Sequence, residues 1–224
     1  MDKSKNSSSS QEKYRVLVPL LEKEKPGLVI AAGTAGYPSE TSYCGNIVAG
    51  CRFFVHNGHP GNPLSNLEHP EFEKLLPVNI NAKVFDIFSV ALKQKASALF
   101  VKTPVNPSVR AAVLSSPYYC ALGSVNVTDY GQYTWVDKEA IASFRKVESK
   151  LPVGSIETTH GVIRLSSKQP CMFVSAIADR EGHFDLEVTA GQNYTASFNA
   201  GIVLGHFIND LAENAKDNIF SFAL

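Results

Sequence analysis

Apolar residues along this chain follow two rhythms, one with helical spacing and one of short unbroken runs. Tyr14, Val16, Leu17, Leu20 and Leu21 recur at three- and four-residue intervals, which predicts a helix over residues 12–23 with Pro19 inside it. Pro26-Gly27 breaks that pattern. The run Leu28-Val29-Ile30-Ala31-Ala32 then ends at Gly33-Thr34-Ala35-Gly36, which predicts a buried strand entering a glycine turn. Further strands are expected over 47–55, 97–102, 119–128 and, most clearly, 171–178, where eight residues are apolar or small. Helices are expected over 84–95, 107–115, 137–148 and 193–215. Asn106 and Pro107 would open the second, and Phe198, Ile202, Phe207 and Leu211 would form the apolar side of the last. The stretch 56–77, rich in Pro, Asn, Gly and His, reads as a long loop with one helical turn at 71–75. Strands alternating with helices predict a single α/β domain over 12–224 behind a Ser/Lys/Asn-rich disordered tail, 1–11.

Composition narrows the partners. Lys plus Arg is 21 and Asp plus Glu is 21, so the chain has no excess positive charge for a nucleic-acid or polybasic membrane surface. At 44% hydrophobic and 19% charged, it carries enough apolar material for a packed core. No run reaches the roughly 18–20 apolar residues of a membrane span, and the N-terminal tail lacks the apolar run of a secretory leader. Cys44, Cys51, Cys120 and Cys171 form no C-x-x-C pair and read as buried reduced thiols, which places the protein in the cytoplasm.

In α/β sheets the working residues follow the carboxyl ends of strands, and four places qualify. Gly33-Thr34-Ala35-Gly36 could turn backbone N–H groups toward a ligand, or be a plain tight turn. Asp179 follows the apolar run without a gap. A carboxyl beside an apolar floor has its pKa raised and suits a general acid, although a helix cap reads the same way. Glu157, in Ile156-Glu157-Thr158-Thr159-His160, could accept hydrogen bonds from a ribose diol or act as a capping glutamate. Tyr130 and Tyr133 crowd a strand end, as a base-stacking ring or as core. His56 and His59 have no third ligand at standard spacing, so no metal site is expected.

Taken in order, Gly33-Thr34-Ala35-Gly36, Gly45-Asn46-Ile47-Val48, Ile156-Glu157, Ser175-Ala176-Ile177-Ala178-Asp179 and the long final helix resemble the nucleoside phosphorylase and nucleosidase superfamily. That family includes purine nucleoside phosphorylases, uridine phosphorylases and methylthioadenosine/S-adenosylhomocysteine nucleosidases. The resemblance implies a mixed twisted sheet in a three-layer α/β/α domain, cleavage of the N-glycosidic bond of a purine-type nucleoside, no cofactor, and a homo-oligomer, for which Phe53, Phe54 and Val55 offer an apolar contact surface. It implies Asp179 as the acid that protonates the base at N7 and Glu157 as the clamp on the ribose hydroxyls. Ile156 would stand where a methionine packs on the sugar, and Tyr130 or Tyr133 would stack on the base. The chain also departs from the pattern. Ala31 takes the place of a phosphate-holding arginine, which favours water over phosphate as nucleophile. Ser175 takes the place of another arginine in the substrate pocket, and Ala178 that of a serine. The segment ahead of Gly27 is short for the family's opening strands and the water-activating glutamate they carry. A nucleoside-binding member without turnover is therefore the alternative expectation.

Overall fold

The computed structural model describes residues 9–37, 44–58, 66–102, 111–127, 133–180 and 190–216. Seven strands form one sheet: β1 Val29–Tyr37, β2 Ile47–Gly50, β3 Arg52–His56, β4 Val113–Ser115, β5 Cys120–Ser124, β6 Val153–Glu157 and β7 Cys171–Arg180. Its order is β3-β5-β6-β1-β7-β2-β4. The helices are α1 Ser10–Glu24, α2 Val90–Ala98, α3 Tyr133–Val147, α4 Thr159–Ser166 and α5 Ala190–Lys216, with a 3-10 turn at Ala82–Ile87. The sheet is mixed: β3, β5 and β6 run parallel to one another, as do β1 with β7 and β2 with β4, whereas β2 opposes β7 and β6 opposes β1.

Side-chain alternation along the strands separates two apolar layers. Met172, Val174, Ala176 and Ala178 of β7 pack with Ile47, Leu92, Val203 and Phe207 under α2 and α5. Cys171, Phe173 and Ile177 face the other way, with Phe53, Val55 and Val162, under α1 and α4. On the first face, Phe54, Leu122 and Ile156 pack against Phe144 of α3. The result is the expected three-layer α/β/α domain.

Several local expectations change. Gly33-Thr34-Ala35-Gly36 is no turn: β1 continues through it paired with β7, with one register shift between Ala35 and Gly36. The predicted strand 47–55 is two strands broken at Cys51. Residues 97–102 are the end of α2 and an irregular segment whose Val101 is held at both N–H and C=O by the Asn199 side chain. Val113–Ser115, expected within a helix, is a strand paired with β2, while residues 103–110 lie outside the described set. β6 and α4 were not expected as elements. α1 starts at Ser10, inside the expected tail, because Ser9 and Glu12 close a capping box. Phe198 is not on the packed side of α5 but exposed, and Ala196, Ala200, Val203 and Phe207 carry that side. Phe53, Phe54 and Val55, offered above as a contact surface, are fully buried core. No helix among the described residues is long and apolar enough to cross a membrane.

α4 lies against β5 through a backbone contact that needs two glycines. A Cβ on Gly123 would meet Gly161 Cα at 2.7 Å and Gly161 N at 2.8 Å. Since the obstructing atoms are main chain, α4 would have to move. Gly123→Ala is therefore expected to cost about 1–3 kcal/mol of unfolding free energy in urea titration. A change within experimental error would show that α4 does not pack this closely.

Candidate functional site

The site grows from uneven pairing of β1. On one side it is laddered to β7 along its whole length, Val29↔Cys171 to Tyr37↔Arg180. On the other it meets β6 at a single step, Gly36↔Ile156. A cavity of about 300 Å³ opens there, lined by residues 32–36 of β1, Ile156 and Glu157 of β6, Thr158 and Thr159, Asp179 of β7, Asp137 of α3 and Asn193 of α5. That volume is at the small end of ligand sites.

Asp179 reaches this cavity through a bulge. Ala35 pairs with Ile177 but Gly36 pairs with Asp179, so Ala178 is the extra residue and the alternation of β7 is reset. Asp179 is 6% exposed. A methyl group on Gly36 would lie 3.5 Å from Asp179 Oδ2 and 3.8 Å from the Ile156 carbonyl oxygen. The glycine thus leaves open a space where the two strand ends converge.

Glu157 ends β6, two residues before α4 begins. Thr158, the N-cap of α4, makes no side-chain capping bond. The Glu157 carboxylate does so instead, accepting the Thr159 N–H (2.6 Å) and the His160 N–H. The capping reading of this residue therefore holds, and the same residue lines the cavity. A carboxylate has about four acceptor sites, so two backbone bonds leave capacity for a ligand.

Burial pushes the Glu157 carboxyl up to about 8, against the opposing pull of the Thr159 N–H, the positive Lys13 and the Thr158 N–H. His160 is 1% exposed, and burial pushes its imidazole down to about 3. Its Nδ1 lies 3.4 Å from Ser175 Oγ and 3.6 Å from Glu157 Oε1, while Nε2 has no hydrogen-bond partner. At neutral pH the imidazole is uncharged and the Glu157 carboxyl is largely so.

The structure brings Gly33, Thr34, Ala35, Gly36, Ile156, Glu157 and Asp179 together in one cavity. It does not bring Ser175 there. That residue belongs to the α1- and α4-facing side of β7, is fully buried, and bonds Ser155 Oγ at 2.7 Å. Tyr130 lies outside the described residues, and Tyr133 opens α3 without a described side chain. His56 hydrogen bonds to Glu73 at 2.7 Å, His59 lies outside the described residues, and no described group of three His, Cys, Asp or Glu could hold a metal. All four cysteines are buried; burial raises the thiol pKa of Cys51 to about 11 and of Cys171 to about 12. Sequence reasoning missed Asp137, Thr159 and Asn193. The first looked like an ordinary helix-opening acid, and nothing in its spacing marks it as cavity-facing.

No protein-family model matches the chain, and no curated protein sequence matches it either. Solved structures do. The methylthioadenosine/S-adenosylhomocysteine nucleosidase of Colwellia psychrerythraea, in complex with adenine, is 14% identical with a TM-score of 0.57, over 92% of this chain and 76% of that one. The Streptococcus pneumoniae enzyme with a transition-state inhibitor is 13% identical, TM-score 0.55, over 92% and 79%. The S-adenosylhomocysteine nucleosidase of Streptococcus pyogenes with 5-methylthiotubericidin is 15% identical, TM-score 0.54, over 92% and 77%. These are members of the nucleoside phosphorylase and nucleosidase superfamily, and the chain has their fold.

The buried pair sets a pH profile for stability. Glu157 binds its proton more tightly folded (about 8) than unfolded (4.5), so its contribution falls as pH rises from 4.5 to 8. His160 binds its proton less tightly folded (about 3) than unfolded (6.5), so its contribution falls as pH drops from 6.5 to 3. The two slopes cancel between 4.5 and 6.5. Denaturant titrations should show a plateau there, with loss on either side at about 1.4 kcal/mol per pH unit from each group. Glu157→Gln should flatten the alkaline limb and His160→Asn the acid limb. An alkaline fall unchanged in Glu157→Gln would contradict this assignment.

Proposed function

We propose that this protein cleaves the N-glycosidic bond of a purine-type nucleoside by hydrolysis. The observation that carries the reading is the convergence of Asp179 and Glu157, far apart in sequence, on one cavity floored by β1. The nucleosidase fold of the solved neighbours supports the same reaction class.

Asp179 donates a proton to the purine N7, so the base leaves without a full negative charge as the sugar becomes oxocarbenium-like. Glu157 accepts hydrogen bonds from the ribose hydroxyls, with its carboxyl fixed in orientation by the first turn of α4. Ile156 packs on the sugar, and residues 33–36 form the floor. Tyr130 or Tyr133 supplies the ring for the base. Water is favoured over phosphate because the described lining includes the carboxyls of Asp137, Glu157 and Asp179 and no Lys or Arg. A phosphate dianion would enter that surround without a counter-charge. A cationic sugar would be stabilised by whichever of these carboxyls is ionised.

A panel of purine and pyrimidine nucleosides, with and without inorganic phosphate, should give free base from a purine riboside at equal rates in both conditions. Asp179→Asn should lower kcat by about 100-fold or more with little change in binding. Full activity of that variant would remove Asp179 from the acid role. Binding of nucleosides without release of base would instead identify a nucleoside-binding protein.

A further inference from the structure

The proposed reaction gives roles to two of the cavity's carboxyls and leaves the third unused. Asp137 sits in the early turns of α3, is 9% exposed, and lines the same cavity. We infer that Asp137 is the general base that takes a proton from the attacking water. This rests on the nucleoside-cleaving reading above.

The argument is one of placement. α3 packs on β5 and β3, Glu157 ends β6, and Asp179 lies at the last step but one of β7, beyond β1. Along the sheet order the elements carrying the acids therefore run Asp137, Glu157, Asp179. A ribose held at Glu157 with its base toward Asp179 turns its other side toward α3. Displacement at C1′ needs the nucleophile on the side away from the departing base, and a carboxylate on that side is the group that deprotonates water in inverting glycoside hydrolysis. The step balances: water oxygen bonds C1′, its proton passes to Asp137, the C1′–N9 pair goes to the base, and Asp179 gives its proton to N7. The enzyme ends with Asp137 protonated and Asp179 ionised, and solvent exchange restores both. The apolar packing of α3 is carried by Val136, Ala140 and Phe144.

The test uses the full chain and the panel nucleoside cleaved fastest. Asp137→Asn should lower kcat about 100-fold or more with KM within about threefold. Sodium azide, a nucleophile with no proton to lose, should then restore base release in the variant and yield the glycosyl azide. Asp137→Ala, checked for an unchanged melting temperature, serves where the Asn variant is unstable. Activity near the parent level, a rise in KM at unchanged kcat, or failure of azide to restore a folded variant would each overturn the assignment while leaving the hydrolytic reading standing. Absence of base release from the unmodified protein would overturn both.

Discussion

The site depends on a strand that is fully paired on one edge and barely paired on the other. β1 is committed to β7 over its length and touches β6 at one step. Unpaired central backbone in a sheet is costly where it is dry, so a gap of this kind persists where a polar cavity or ligand can meet the exposed edge. The same ladder contains the Ala178 bulge, which re-aims one side chain. Pairing that holds the sheet together thus also delivers Asp179 to the gap.

Around that gap the electrostatics are one-sided. Asp137, Glu157 and Asp179 line it with no cation among the described lining residues. Burial keeps Glu157 largely protonated at neutral pH and His160 neutral, which limits the repulsion that three ionised carboxylates would generate in a small volume. Beneath β1, Ser155 and Ser175 are joined by a hydroxyl–hydroxyl bond. Small neutral groups fill that layer and bring no charge of their own.

The α/β class, the long β7 strand and the long final helix were legible because their apolar patterns are strong and uninterrupted. Asp179 was legible because it ends such a run. The glycine segment 33–36 reads as a turn in the sequence, whereas it continues β1 along β7; a Cβ at Gly33 or Gly36 would sit in ordinary contact with His160 Nε2 (3.6 Å) or Asp179 Oδ2 (3.5 Å), so neither glycine marks a close approach. Ser175 was placed by sequence order, whereas side-chain alternation sends it to the opposite face. Asp137 was invisible as a site residue because its part follows from where α3 crosses β5, a tertiary fact. β6 and α4 escaped notice because Gly154 interrupts one and Gly161 the other, and both glycines serve contacts that no local pattern records.

The dual engagement of Glu157 has a dynamic consequence. Its oxygens anchor the first amides of an eight-residue helix that has no side-chain cap at Thr158. Any molecule that competes for those oxygens loosens the opening turn of α4, and any molecule that fixes the carboxyl in place tightens it. Any change in the state of the Glu157 carboxyl is therefore felt first at the Thr159 and His160 amides, whose exchange with solvent follows the fraying of that turn.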